Sequence, residues 1–312
     1  MNAATSRVLA CDVGGSHVMT AIVNLPSFTI VHMRSVPLDP DAPAATILTA
    51  LEDAGRQVAI ESGIDLTTIL GVAYAFPAPF DYDAGVSLLK HKYRALYQAD
   101  IRTELSRRLD LPPDAITFMH DAQAFLLGEI SRGAAQNAHR VIGITLGTGI
   151  GSAFAVGGKI VEEGTGVPPG GEVYDLPWRK GTVENAVSTQ FIQSRYRELT
   201  GDTLSVKEIA LRAGSDRFAE ETVREFGSNL GSILDTLSPA FAPDLIVLGG
   251  GISRSAVLFL PSVHAELTHC RPAIAVSSLL DEAAIVGLAA HWHESKHKHL
   301  DPALAIPQTP KT

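Results

Sequence analysis

The chain of 312 residues holds only two cysteines, Cys11 and Cys270, each in an apolar context and far from the other in sequence. Two such thiols make neither a disulfide framework nor a metal-ligand pattern, and a reducing cytoplasm fits them. No basic stripe offsets the net charge of −9. Phosphate backbones are bound by clustered Lys and Arg, so nucleic acid is not expected as a partner. No run approaches the ~18 uninterrupted apolar residues of a membrane span, and Met1 to Arg7 lack the apolar core of an export signal. The expectation is a cytoplasmic protein, neither exported by that route nor embedded. The string G-x-x-x-x-G-K-[ST] is missing too, which excludes a P-loop.

What is present is enough apolar material for a core, 46% of residues, in a chain longer than one core normally serves, so two lobes are expected. Two glycine-broken hairpins stand out. The first is Asp12-Val13-Gly14-Gly15-Ser16-His17, and the second is Thr145-Leu146-Gly147-Thr148-Gly149-Ile150-Gly151. Each lies between two apolar runs and reads as strand, tight turn, strand. Glycines let consecutive backbone amides face outward without a Cβ in the way, and such a concavity holds phosphate, with Ser16 or Thr148 adding a hydroxyl donor. A dinucleotide fingerprint fails for the second turn, because Gly147, Gly149 and Gly151 have the wrong register and no long helix follows. Two ordinary hairpin turns are the plainer alternative; the paired occurrence and the acidic Asp12 favour nucleotide.

The element order repeats. The first half reads as strands at Arg7 to Asp12, Val18 to Asn24 and Thr29 to Val36, a helix over Ala44 to Ser62, a strand at Ile69 to Phe76, a helix over Ala99 to Leu109 and a strand at Ala115 to Met119. The second reads as strands at Arg140 to Leu146, Ser152 to Val156 and Lys159 to Glu162, helical stretches at Val183 to Leu199 and Phe218 to Leu237, a strand at Leu245 to Leu248, a helix at Ala256 to Thr268 and a strand at Ala273 to Val276. This β-β-β-α-β-α-β order in both halves describes an α/β protein with the duplicated actin-like ATPase (ribonuclease H-like) fold: two lobes with an interdomain cleft for nucleotide. The lobes are expected at residues 1–120 plus 281–298 and at 121–280, with 299–312 as a flexible tail. His291, His293, His297 and His299 follow no closed metal-ligand spacing and read as a solvated helix end.

Phosphoryl transfer needs positioning, a divalent cation and a base near the acceptor hydroxyl. Asp12 ends the first strand beside the glycine turn, where its carboxylate would hold magnesium directly or through water; a turn-capping aspartate is the alternative. Asp121 follows the apolar strand and opens the helix Ala122 to Arg132, at the strand end where open α/β sheets bind ligands. It also reads as a helix N-cap, and the two roles coexist. Glu172, ending a glycine-rich loop, and Glu184, at a helix start, join Asp121 as acceptors able to grip vicinal sugar hydroxyls. Each glutamate alone reads equally as a surface residue.

Together these motifs resemble the ROK family of sugar kinases and related sugar-responsive repressors. Asp12-Val13-Gly14-Gly15-Ser16 and Leu146-Gly147-Thr148-Gly149-Ile150-Gly151 resemble that family's two phosphate motifs, and Phe76-Pro77-Ala78-Pro79-Phe80-Asp81 its proline-rich sugar-side loop. His120-Asp121-Ala122 with Gly128-Glu129 resembles its helix start, which implies Asp121 as the catalytic base. Leu248-Gly249-Gly250-Gly251-Ile252 resembles its adenosine-side motif. The resemblance implies ATP and magnesium as cofactors, a small-molecule sugar as partner, a homodimer, and sugar contacts from Pro79, His120, Asp121, Glu172, Asp175 and Glu184. Three departures stand out. His120 replaces the usual Asn, a Glu-x-Gly-His motif becomes Glu172-Val173-Tyr174-Asp175, and Trp178 to Glu184 carries none of the family's zinc-binding cysteines.

The repressors carry a helix-turn-helix domain ahead of the kinase-like part, and Asp12 lies too close to Met1 for one, which favours a kinase. The expected activity is ATP-dependent phosphorylation of a hexose or amino-sugar hydroxyl. A sugar-binding regulatory protein with a kinase-like fold and weak or no catalysis stays open. So does a polyphosphate-dependent glucokinase, to which a net charge of −9 lends no support. The missing cysteines generate the first prediction: metal analysis of tag-free protein will find no stoichiometric zinc, and zinc chelators will leave its melting temperature unchanged. Stoichiometric zinc whose removal lowers the melting temperature would contradict it.

Overall fold

In the computed structural model, residues 6–90 and 92–297 are described; the expected tail at 299–312, with His299, lies outside them. The chain forms two compact units, one running to Ala124 and resuming at Ala284, the other spanning Phe125–Ala283.

The first unit contains β1 (Arg7–Val13), β2 (His17–Asn24), β3 (Thr29–Pro37), α1 (Ala44–Ser62), β4 (Val72–Phe76), a small hairpin of β5 (Phe80–Asp81) and β6 (Val86–Ser87), α2 (Ile101–Leu109) and β7 (Ile116–His120). Its sheet has the order β3-β2-β1-β4-β7. The β1/β2 and β2/β3 pairs are antiparallel, while β1/β4 and β4/β7 are parallel. Every residue of β4, Val-Ala-Tyr-Ala-Phe, is buried, as expected of a parallel strand covered on both faces. The edge strand β3 instead alternates between exposed and half-buried positions. Helix α1 buries Ile47, Leu48, Leu51, Ala54, Val58 and Ala59 on one face, a helical spacing of three and four. Gly63 ends it in the left-handed region, φ 68°, its amide bonding back to Ala59 and Ile60.

Helix α3 (Asp121–Arg132) carries the chain into the second unit. There follow β8 (Arg140–Leu146), β9 (Ile150–Val156), β10 (Lys159–Val161), a hairpin of β11 (Pro177–Trp178) and β12 (Gly181–Thr182), α4 (Val183–Ala186), α5 (Thr189–Thr200), α6 (Val206–Arg212), α7 (Arg217–Phe241), β13 (Leu245–Gly249), α8 (Ala256–Glu266) and β14 (Ala273–Val276). The sheet order, β10-β9-β8-β13-β14, repeats that of the first unit strand for strand. This is the duplicated α/β architecture expected. Helix α9 (Ala283–His297) returns to the first unit, where the Trp292 indole donates to the Ala115 carbonyl at 2.9 Å.

Two differences from the sequence reading have local causes. The expected helix at Val183 to Leu199 is two helices, because the buried Ser188 turns its side chain to cap α5, accepting from the Phe191 amide. Helix α6 was not expected; it starts with a reciprocal capping box between Ser205 and Glu208. In the zinc-motif segment, the β11/β12 hairpin runs into α4, whose start is closed by Asn185 Oδ1 accepting the Thr182 amide at 3.0 Å.

The long α7 packs against α8 at glycines: a Cβ on Gly227 would lie 2.5 Å from the Phe259 carbonyl oxygen, and one on Gly231 2.5 Å from that of Val263. Beyond α8 the contact is polar. Burial pushes the Asp235 carboxyl up, but bonds from the amide and Nδ1 of His269 and the hydroxyl and amide of Thr268, all between 2.6 and 2.9 Å, outweigh it and hold the carboxyl far below the ordinary carboxylate range. A folded-state pKa below the unfolded one stabilises fully above about pH 4, and that stabilisation is lost as pH falls toward the folded value. Asp235→Asn should therefore destabilise the protein at about pH 6 and less at about pH 3, read from urea unfolding at each pH. A difference independent of pH would show that the Asp235 charge contributes nothing.

Candidate active site

The three parallel strands of the first unit end side by side. Asp12 of β1 stands opposite Ala75 of β4, and Phe76 of β4 stands opposite His120 of β7. Asp12 and the His120-Asp121 pair therefore share the carboxyl edge of one sheet, where open α/β sheets bind ligands. Asp121 is the first residue of α3, and its Oδ1 accepts the Ala122 amide at 2.7 Å. The side chain that opens the helix thus stays 45% exposed. His120 Nε2 lies 3.1 Å from Asp121 Oδ1, and its buried ring meets that of Tyr82 edge-on, centroids 6.3 Å apart. Burial first, and then the charge of Asp121, push the Asp12 carboxyl up to about 7. Two carboxylates at one strand edge, one of them half-buried, leave a deficit of positive charge there.

The first glycine turn adjoins Asp12. The Gly14 amide donates to the His17 carbonyl at 2.9 Å, the Leu38 amide donates to the Ser16 carbonyl at 2.9 Å, and the Tyr93 hydroxyl donates to the Gly14 carbonyl at 2.5 Å. Burial, then the charge of Asp12, raise the Tyr93 phenol to about 12, so it keeps its proton as a donor. With the turn's carbonyls so occupied, Gly15 and Ser16 are left exposed at its tip. Pro79 lies exposed ahead of β5, its carbonyl accepting the Leu88 amide at 3.2 Å.

The second unit holds its own set. The turn between β8 and β9 closes through the Gly147 amide on the Gly149 carbonyl at 2.9 Å, with Thr148 exposed at the tip. The Gly147 carbonyl is taken by both the amide and the hydroxyl of Thr189, each at 2.9 Å. Glu184 reaches this turn: its Oε2 accepts the Ile150 amide at 3.3 Å, and a Cβ on Gly149 would lie 2.0 Å from it. Ser152 pins the preceding loop, donating to the Gly171 carbonyl at 2.6 Å and accepting the Val173 amide at 3.0 Å. That fixes Glu172 between them. The Glu184 amide donates to the Tyr174 carbonyl at 3.0 Å, and burial followed by the charges of Glu172, Asp175 and Glu184 raises the Tyr174 phenol. The three expected acceptors of this unit are thus gathered around Tyr174.

Gly249 ends β13 and Gly250, with φ 79°, starts the next turn. A Cβ on Gly250 would stand 2.4 Å from the Leu146 carbonyl oxygen, which places this turn directly behind the second glycine turn; around Gly251 the space is open. Among the described residues no group of three or more His, Cys, Asp or Glu side chains is placed to hold a metal ion.

Tyr93, Lys92 and Thr189 escaped the sequence reading, although each adjoins a glycine turn. None is near its turn in sequence, and the only hint is the Lys90-His91-Lys92 triplet in an acidic chain.

A model of the ROK family matches residues 8–295. The chain belongs to the ROK family. Among ROK relatives, the glucokinase of Halalkalibacterium halodurans is 24% identical over 310 residues, covering 88% of this chain and 92% of its own length. The N-acetyl-D-glucosamine kinase of Haemophilus influenzae is 27% identical over 306 residues, covering 89% and 97%. The crystal structure of a ROK family glucokinase from Streptomyces griseus in complex with glucose and AMPPNP superposes with a TM-score of 0.76 at 22% identity, covering 93% of this chain and 100% of that one, and shows the shared fold. No helix among the described residues is long and apolar enough to cross a membrane.

Packing at the two neighbouring glycines of this ROK chain generates a prediction. Gly250→Ala forces a Cβ into a backbone carbonyl at positive φ and should cost about 2 kcal/mol or more, whereas Gly251→Ala should cost under about 1 kcal/mol, both read from denaturant melts. Equal costs would mean that the turn behind Leu146 is not rigid.

Proposed function

We propose that this chain transfers the γ-phosphoryl group of ATP to a hydroxyl of a hexose or amino sugar, with Asp121 as the base. That it is a ROK-type carbohydrate kinase follows from the family match and the kinase relatives. The observation that carries the mechanism is the common strand edge of Asp12, the Gly14-Gly15 turn and Asp121. A half-exposed carboxylate anchored through one oxygen by the Ala122 amide has its other oxygen available to take a proton from an attacking hydroxyl. His120, against the anchored oxygen, holds that carboxylate's orientation and presents its imidazole on the acceptor side.

The residues fit magnesium. Mg²⁺ is typically bound by one or two carboxylates plus phosphate oxygens and retained waters, and Asp12, pushed up to about 7 beside Asp121, is a carboxylate short of a counter-cation. Asp12 would hold the ion directly or through water, and the ion would neutralise charge on the phosphates. The turns at Gly14, Gly15 and Ser16 and at Gly147, Thr148 and Gly149 would face phosphate oxygens, the exposed tips at Gly15, Ser16 and Thr148 presenting preorganised amides while those of Gly14 and Gly147 close the turns. The turn at Gly249, Gly250 and Gly251 takes the adenosine side. Glu172, Asp175 and Glu184 accept from sugar hydroxyls, with Pro79 and His120 on the sugar side. The same reading makes the protein a cytoplasmic homodimer.

The test is Asp121→Asn, which keeps size and the capping oxygen while losing basicity. Sugar-dependent ADP release across a panel of hexoses and amino sugars should fall by about 10²- to 10⁴-fold in kcat, with no fall in melting temperature and little change in ATP affinity. Turnover near that of the unsubstituted protein would remove Asp121 from the base role; transfer from polyphosphate but not from ATP would replace the donor.

A further inference from the structure

We propose that Lys92 is a phosphate-contacting residue, its ammonium binding the terminal phosphate of a nucleoside triphosphate at the first glycine turn. This assignment rests on the kinase reading for the identity of the ligand. Its own support is a juxtaposition within the first unit: a Cβ built on Gly15 would lie 3.4 Å from Lys92 Nζ and 3.8 Å from Cε, so the end of the side chain lies over the tip of the turn.

Described residues on either side of Lys92 are anchored. Leu89, Tyr93 and Leu96 are fully buried, and the Tyr93 hydroxyl ties the segment to the Gly14 carbonyl at 2.5 Å. Tyr93 adopts φ 50°, a left-handed conformation that a residue with a Cβ keeps only where its surroundings over-determine it. Such backbone outliers cluster at ligand clamps. Lys92 stands one residue before this anchor.

Its charge is not spent on the protein. Among the described residues Lys92 makes no ion pair or hydrogen bond, whereas the neighbouring Lys90 lies over the Tyr97 ring at 5.0 Å. The amides of Gly15 and Ser16 likewise donate to no described protein acceptor. Two spare amides and a spare ammonium at one tip form an anion site, a lysine acting as a point charge toward phosphate.

The position selects the terminal phosphate. This turn shares its strand edge with the proposed base, Asp121. The phosphoryl group that leaves must meet the hydroxyl that Asp121 deprotonates, so the phosphate at this turn is the terminal one. Lys92 therefore discriminates a triphosphate from a diphosphate.

Isothermal titration of the full chain with MgATP and with MgADP tests this. Lys92→Met should weaken MgATP binding about tenfold or more while changing MgADP binding less than about twofold, and Lys92→Arg should recover most of the MgATP affinity. Melting temperatures should stay unchanged, since the lysine head is not packed. Equal losses for both nucleotides, no loss for either, or no binding of MgATP by the unsubstituted protein would each overturn the assignment. The outcomes separate it from the kinase reading. If no sugar is phosphorylated but the loss stays selective for MgATP, the kinase reading fails and Lys92 keeps its role; if sugar is phosphorylated and Lys92→Met matches the unsubstituted protein in kcat and MgATP affinity, Lys92 alone loses it.

Discussion

At the carboxyl edge of the first unit's sheet one constraint stands out: burial first, and then the charge of Asp121, disfavour an ionised Asp12. Burial and the second charge together push Asp12 up to about 7, so folding places a carboxyl where its charged form is disfavoured. Folding alone would select an amide or an apolar residue at Asp12. Around the pair, the protein supplies donors: the Ala122 amide and His120 on Asp121, and spare amides at Gly15 and Ser16 beside Asp12. Concentrated negative charge and unpaired amides thus lie together at this edge, and folding alone satisfies neither.

The second unit obtains rigidity differently. Its turn at Gly147 is fastened by carbonyl and carboxylate contacts from elements remote in sequence, Thr189 on one side and Glu184 on the other. Gly250 lets the following turn approach the Leu146 carbonyl at a distance no Cβ permits. Glu184 therefore touches the turn at Ile150 while standing among the carboxylates around Tyr174, so one side chain links the second glycine turn to that acidic group. In the segment from Trp178 to Glu184, which holds no cysteine, the chain closes a short hairpin with a Thr182-Asn185 cap.

Much of this was legible beforehand. Strands read correctly because β1, β4, β8 and β13 are short apolar runs bounded by glycine or polar turns, and their repeated order predicted two matching sheets. Asp12 and Asp121 were visible because each follows an apolar strand directly. The split at Ser188 was hidden, since a serine inside a helical pattern reads equally as a cap or as an exposed position until its neighbours bury it. Helix α6 was hidden because its seven residues are too few for a clear period.

The sequence by itself determined the family, the duplicated fold, the two glycine turns and the carboxylates beside them. Those signals are local: a strand, a turn and an acid occupy consecutive positions, and their chemistry follows from order alone. Tertiary structure alone decided which remote side chains meet those turns. Tyr93 bonds to a carbonyl 79 positions earlier, and Glu184 to an amide 34 positions earlier. Such partners are selected by how sheets and loops pack, by which carbonyls remain unpaired and by where a missing Cβ allows approach, and no periodicity along the chain encodes them.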